Sequence, residues 1–449
     1  MIQTFMTSYD IFVTCILIGF AILVGFILST FENKELQKHF KYGLFIKLFG
    51  GFSFALVYTY YYDYGGDTRV YYSSAQNLTY LLFSEFDSFY SLFFLNELGN
   101  LTQNQFYQYF GFGLDTSEFT VIRITSLINI LGFNSYFGTT IVFAFLSFFG
   151  IWIFYRAFVS FFPFLKNQLA FPFLYFPSVF FWGSGISKDT IVIGFMGLIF
   201  FFFLKISKKI NVIYLLFTII SGYIIFQIKS YIILSIIPVL GLYYLLQKRK
   251  NIKNKLIKTS ILPVVLSFAI SISYFGLSYL GEINPKYSVE NVISTSQQMQ
   301  SWHYVEGENS SDNHGRGSSY TLGEYDPSIL GVIGIAPSAI NVALFRPYFW
   351  EVKNAGMLAA AIESLGMLIF SIIVLLKVGP RGFIQSTIND NLVLFCIIFS
   401  LIFLFFVGFS SYNFGALMRY KIPAIPFYLS GLIIILHYHK NQRLSKTFK

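Results

Sequence analysis

Charge is scarce in this chain of 449 residues. Asp, Glu, Lys and Arg together make up 12% of it, about half the roughly 25% of an ordinary soluble domain. That excludes a soluble multidomain enzyme, and the long apolar runs exclude a disordered protein. Cysteine is scarcer still. Cys15 and Cys396 both lie in apolar runs, which rules out a disulfide scaffold and leaves two small thiols that pack as apolar groups. There is no Walker loop, no Rossmann glycine fingerprint, no His-Glu-x-x-His and no Cys/His cluster. The five histidines are scattered, with His303 and His314 in a hydrophilic stretch and His39, His437 and His439 elsewhere. No internal repeat is visible, so the signature of many secondary transporters is missing. Nor is there an aromatic-basic platform or a nucleic-acid motif to account for the net charge of +10.

What the chain has instead is apolar length. Hydrophobic residues reach 55%, with 57 Phe and 32 Tyr, and mean hydropathy is +0.63. A spanning helix needs roughly 20 apolar residues. That rule predicts an all-α, polytopic transmembrane bundle with eleven spans, at 11–31, 43–62, 136–155, 168–185, 190–206, 211–227, 230–246, 260–279, 356–376, 391–409 and 424–438. The first run lacks a basic leader and a small-residue cleavage site, and reads as a retained helix. With the N-terminus outside and the C-terminus cytoplasmic, 21 of the 31 Lys and Arg fall on the inner side, against three of the 21 acids. The basic balance is therefore a topology signal in a cell-membrane protein.

The whole of 1–449 reads as one transmembrane domain with two large outer segments. Residues 63–135 are acidic and aromatic, and 76–95 and 120–132 within them read as helices lying in the interface. Residues 280–355 contain a Gly-, Ser- and Asn-rich stretch from Ser301 to Ser328, which reads as a mobile loop able to order over a ligand.

Ten cations remain on the outer side against the general bias, and charges at such positions are functional-site candidates. Gly65-Gly66 permits a tight turn presenting Asp67, a candidate general base or divalent-ion ligand, with Arg69 two residues on. The alternative is a solvated aromatic belt. In Gly183-Ser184-Gly185-Ile186-Ser187-Lys188-Asp189, Ser187 is placed to cap the next helix, whose N-terminus together with Lys188 suits a phosphate. The alternative there is a Lys188–Asp189 pair at the interface. Arg346 precedes Pro347 and offers a fork for bidentate phosphate contact, or pairs with Glu351. Arg419 and Lys421 lie between the tenth and eleventh spans, and Lys229 with Tyr231, between the sixth and seventh, completes the set. One carboxylate and five cations on one face describe a site for an anionic ligand with a lipid-soluble part.

The motifs Gly-Gly-Asp-Thr-Arg-Val-Tyr (65–71), Phe-Pro-Ser-Val-Phe-Phe-Trp-Gly-Ser-Gly-Ile-Ser-Lys-Asp (176–189), Phe-Arg-Pro-Tyr-Phe-Trp-Glu (345–351) and Asn-Phe-Gly-Ala-Leu-Met-Arg-Tyr-Lys-Ile-Pro (413–423) resemble those of bacterial surface-polysaccharide assembly proteins. These include O-antigen polymerase-like proteins and GT-C-type membrane glycosyltransferases. The resemblance implies a GT-C-like fold in the inner membrane and a polyprenyl-phosphate-linked sugar donor used on the extracytoplasmic face. It further implies Asp67 as base, with Lys188, Arg346 and Arg419 on the donor phosphates. It calls for no cofactor and leaves a divalent cation open, and other polysaccharide-assembly proteins are the partners it suggests. Two alternatives stand beside it: a transporter or flippase of a lipid-linked anionic glycan, and a non-catalytic membrane assembly subunit.

Overall fold

A computed structural model describes residues 6–62, 65–249, 318–326 and 328–447. Among these the regular structure is entirely helical, apart from a single antiparallel bridge between Ser319 and Asn413. The chain divides into two compact units, Met1–Ser230 and Tyr231–Lys449.

The first unit contains α1 (Ser8–Ser29), α2 (Lys34–Tyr60), α3 (Gly66–Ser84), α4 (Phe86–Tyr90), α5 (Gln103–Tyr109), α6 (Ser117–Leu131), α7 (Tyr136–Phe161), α8 (Lys166–Ala170), α9 (Pro177–Trp182) and α10 (Lys188–Lys208). Helix α11 (Val212–Arg249) begins in it and continues into the second unit. Helix α7 is the central element, packed on α10, α2 and α1. Its approach to α10 depends on glycine: a Cβ on Gly150 would lie 2.4 Å from the Gly194 carbonyl oxygen, and one on Gly197 would lie 2.2 Å from that of Gly150. Small residues at such a crossing let two membrane helices pack backbone to backbone. Helices α3 and α6 pack on each other, and α6 also packs on α7.

The second unit contains α12 (Ile329–Gly334), α13 (Ala336–Phe345), α14 (Ala355–Asn389), α15 (Asn391–Ser410), α16 (Phe414–Tyr420) and α17 (Ile425–Thr447). Its core is the packing of α13 on α15 and of α17 on α14 and α15.

Among the described residues seven helices are long and apolar enough to cross a membrane, or eight if α16 and α17, bent by 65°, form one broken span. The all-helical, membrane-compatible architecture therefore stands as expected, and the expected spans differ from it in several places. Residues 168–185 are not one helix. Pro172 and Pro177 each remove a backbone donor, and Phe176, held extended at φ −71° and ψ 123° before Pro177, separates α9 from the turn before it. The runs 211–227 and 230–246 are the two arms of α11, which meet at a single non-helical residue, Lys229. The run 356–376 extends through a break at Gly379-Pro380 to Asn389. The run 260–279 lies outside the described residues. Of the expected interfacial helices, 120–132 matches α6, whereas 76–95 is split at Glu85 between α3 and the following segment. Most of Ser301–Ser328, with His303 and His314, also lies outside the described residues. In the described part, Ser318 and Tyr320 are hydrogen-bonded within the second unit. Tyr320 N donates to the Tyr412 carbonyl at 3.1 Å, Phe414 N donates to that of Ser318 at 2.7 Å, and Tyr320 Oη donates to that of Gly408 at 2.9 Å.

Candidate functional site

The turn before α3 forms as its glycines require. Gly65 and Gly66 both have positive φ, at 71° and 55°, a region that L side chains rarely enter. A Cβ on Gly65 would also lie 2.1 Å from Arg69 Cγ, so the turn makes room for the arginine stem. Asp67 is exposed in the first turn of α3. Arg69 points the other way. It is buried, with Cζ 3.8 Å from the centre of the Tyr136 ring and Nη2 donating to Thr59 Oγ1 at 2.5 Å. Burial pulls its guanidinium below the usual value, opposed by Tyr136, Tyr72 and Asp10. As placed, Arg69 braces the turn, while Asp67 faces outward.

Ser187 caps α10 as its position suggests, accepting from Thr190 N. The pairing beyond it differs from the one expected. Lys188 does not pair with its neighbour Asp189; its Nζ donates to Glu118 Oε1 at 2.6 Å and Ser117 Oγ at 2.8 Å, at the start of α6. Asp189 instead accepts from Lys229 Nζ at 2.5 Å, and both side chains are buried. Neighbours on a helix point about 100° apart, so Lys188 and Asp189 reach different helices. Burial alone would raise the Glu118 carboxyl, but the hydrogen bond and charge of Lys188, with backbone and Ser117 donors, hold it below the usual carboxylate value. Asp67 and Lys229 both lie within electrostatic range of Lys188. Asp67, Lys188 and Lys229 thus belong to one charged group in the first unit, completed by Glu118 and Asp189.

The other predicted residues belong to the second unit. Arg346, preceding a cis peptide to Pro347, is forked onto Glu351 through Nε at 3.0 Å and also through Nη2. Its guanidinium lies among the rings of Phe414 (5.4 Å), Tyr320 (5.9 Å) and Tyr348 (6.0 Å). Lys421 is buried, donating to Ser364 Oγ at 3.2 Å, and Ser364 in turn donates to the Arg346 carbonyl at 3.0 Å. Arg419 is half-buried in the last turn of α16. The expected single constellation is therefore two groups, one in each unit.

Sequence reasoning missed three participants. Glu118 and Lys188 are 70 residues apart, and nothing local links them. Ser364 looks like any small residue of an apolar run. Lys47 is buried in α2 and donates to the Gly183 carbonyl, which also accepts from Ser147 Oγ at 3.1 Å. A lysine within an apolar run beside Gly50-Gly51 was the available signal. Among the described residues no group of three or more His, Cys, Asp or Glu is placed to hold a metal ion. No family model, curated protein or solved structure matches this chain.

Proposed function

We propose that the protein is a membrane glycosyltransferase or polysaccharide polymerase that uses a polyprenyl-phosphate-linked sugar on the extracytoplasmic face of the cell membrane, in a GT-C-like bundle of about eleven spans with the N-terminus outside. The observation that carries this reading is an exposed carboxylate, Asp67, set on a rigid glycine turn with the Lys188 ammonium in electrostatic range. In the reaction an acceptor hydroxyl oxygen bonds to the anomeric carbon, and that carbon's bond to the phosphate oxygen breaks. Asp67 takes the hydroxyl proton, and the lipid phosphate leaves carrying the bonding electron pair. Lys188 stabilises the charge that develops on the phosphate, with Lys229 behind it on Asp189. In the second unit Arg346 and Arg419 are forked cations suited to binding a phosphate, and binding by Arg346 requires Glu351 to give way.

A second reading, transport of a lipid-linked anionic glycan, is favoured by a different observation: a buried Lys229–Asp189 pair at a break in a long apolar helix. Buried intramembrane ion pairs and broken helices are common parts of transport sites. Membranes containing the protein, given radiolabelled polyprenyl-linked sugars and a glycan acceptor, separate the two. Sugar transfer reads out as label in the acceptor with release of lipid phosphate. Movement of intact label between leaflets, without a new glycosidic bond, would replace this reading with transport.

A further inference from the structure

A cavity of about 210 Å³ lies in the second unit and is lined by none of the predicted site residues. It forms where Gly379, at φ 72°, breaks α14 and turns its last arm, Pro380–Asn389. That arm is two-sided. Gly382, Gln385, Ser386 and Asn389 recur at helical spacing on the cavity side, whereas Ile384 and Ile388 are exposed. Asp390, Tyr438 and His439 close the cavity. Asp390 accepts from three donors: Leu392 N at 2.8 Å, Val393 N at 3.0 Å and Tyr438 Oη at 2.6 Å. Among the described residues His439 Nε2, a buried atom, has no hydrogen-bond partner. A buried polar atom left unpaired costs about 1–3 kcal/mol, so this nitrogen marks a place for a bonding group. Lys377, Arg381 and Lys440, all exposed, flank the lining positions in sequence, and Asp390 is the only acid among those positions.

We propose that this cavity binds the phosphate of an anionic phospholipid head group. Amide and hydroxyl donors on the α14 arm and the His439 ring face the phosphate oxygens, and the flanking cations supply the attraction. Basic pockets at the cytoplasmic ends of membrane helices hold such head groups, and the Lys/Arg-rich end of this unit is the cytoplasmic one by the positive-inside rule. The size fits: the volume is below the roughly 300–1,000 Å³ of pockets that enclose a drug-sized ligand, which suits a head group and not a whole lipid or a nucleotide. The exposed Ile384 and Ile388 leave the arm in contact with acyl chains. The proposal does not rest on the sugar-transfer reading.

The test uses the full chain in detergent, with phosphatidylglycerol or phosphatidylcholine of identical acyl chains added singly and retained lipid read by native mass spectrometry. Phosphatidylglycerol should be retained in preference, and Ser386→Asp should lower its retention by at least about tenfold, because it adds a like charge inside the cavity, while phosphatidylcholine is unaffected. Should that variant fold poorly, the wild type decides: phosphatidylglycerol raises the melting temperature and phosphatidylcholine does not. Displacement of the lipid by inorganic phosphate at comparable concentration would support phosphate recognition and make a soluble phosphate ester the source. Equal retention of the two lipids, or phosphatidylglycerol retention unchanged in both Ser386→Asp and Asn389→Asp, would overturn the proposal.

Discussion

The two units neutralise their cations in different ways. In the first, Lys188 and Lys229 each reach a carboxylate on another helix, so that α10 is tied to α6 through Glu118 and to α11 through its own Asp189. In the second, Arg346 takes a carboxylate only five residues away, and Lys421 is held by the Ser364 hydroxyl with Glu363 in electrostatic range. Long-range pairs set how helices sit against each other, whereas the local pair shapes one turn. A cation in the first unit is consequently part of the scaffold as well as of the candidate site. The Arg346 fork, by contrast, is closed within one turn and surrounded by aromatic rings.

The sharpest way to break this comparison is to remove one carboxylate from each unit. Asp189→Asn takes the carboxylate charge away from the buried Lys229 ammonium, which should cost about 3–5 kcal/mol, read as a fall in melting temperature in detergent. The double variant Asp189→Leu/Lys229→Met should recover most of that loss. Glu351→Gln, at a half-buried local pair, should cost about 1–3 kcal/mol. If Glu351→Gln proved the more damaging of the two, the distinction between scaffold pair and local pair would be lost.

Next in size is the glycine turn. Gly65→Ala places a Cβ against Arg69 Cγ at positive φ and should destabilise by about 1–2 kcal/mol from the left-handed backbone alone. Gly19→Ala, in α1 with nothing within 4 Å of the added carbon, is the contrast and should be neutral or stabilising by about 0.5–1 kcal/mol. Equal melting temperatures for the two variants would remove the argument that the turn is fixed by Gly65.

The smallest expected effect is a pH dependence of the Lys188–Glu118 pair. The folded-state carboxyl of Glu118 lies below its ordinary value of 4.5. Its stabilisation is therefore present in full above that value and is lost as pH falls through the lower, folded one. The pair is partly exposed, so the amount is about 1 kcal/mol or less. Melting curves of wild type and Glu118→Gln should differ at neutral pH and converge under acid. A gap that widened on acidification would mean that the carboxyl is raised, not lowered.

How much of this was legible in the sequence follows the range of the interactions. The apolar runs announced the helices, since hydropathy is local, and Ser187 and Gly65-Gly66 announced a cap and a turn because caps and turns are made by adjacent residues. Breaks inside a run were harder. Pro172 and Pro177 are visible in 168–185, but the kink at Lys229 carries no proline or glycine at its own position. The partners of Lys188 and Lys229 were not legible, because ion pairs across 40 and 70 residues are fixed only by helix packing. For the same reason Lys188 and Lys229, which look like Arg346 and Lys421 along the chain, are held in a different way in the fold.

The enzyme reading depends most directly on Asp67. A positioned general base contributes roughly 10²–10⁴-fold in rate, and Asp67→Asn changes neither shape nor burial at an exposed position. The decisive measurement is sugar transfer from a polyprenyl-phosphate-linked donor by membranes carrying wild type or Asp67→Asn at matched protein levels. The account predicts that product falls by about that factor while the melting temperature and donor binding stay at the wild-type level. Undiminished transfer by Asp67→Asn would contradict it and leave the buried Lys229–Asp189 pair, and with it transport, as the better guide to function.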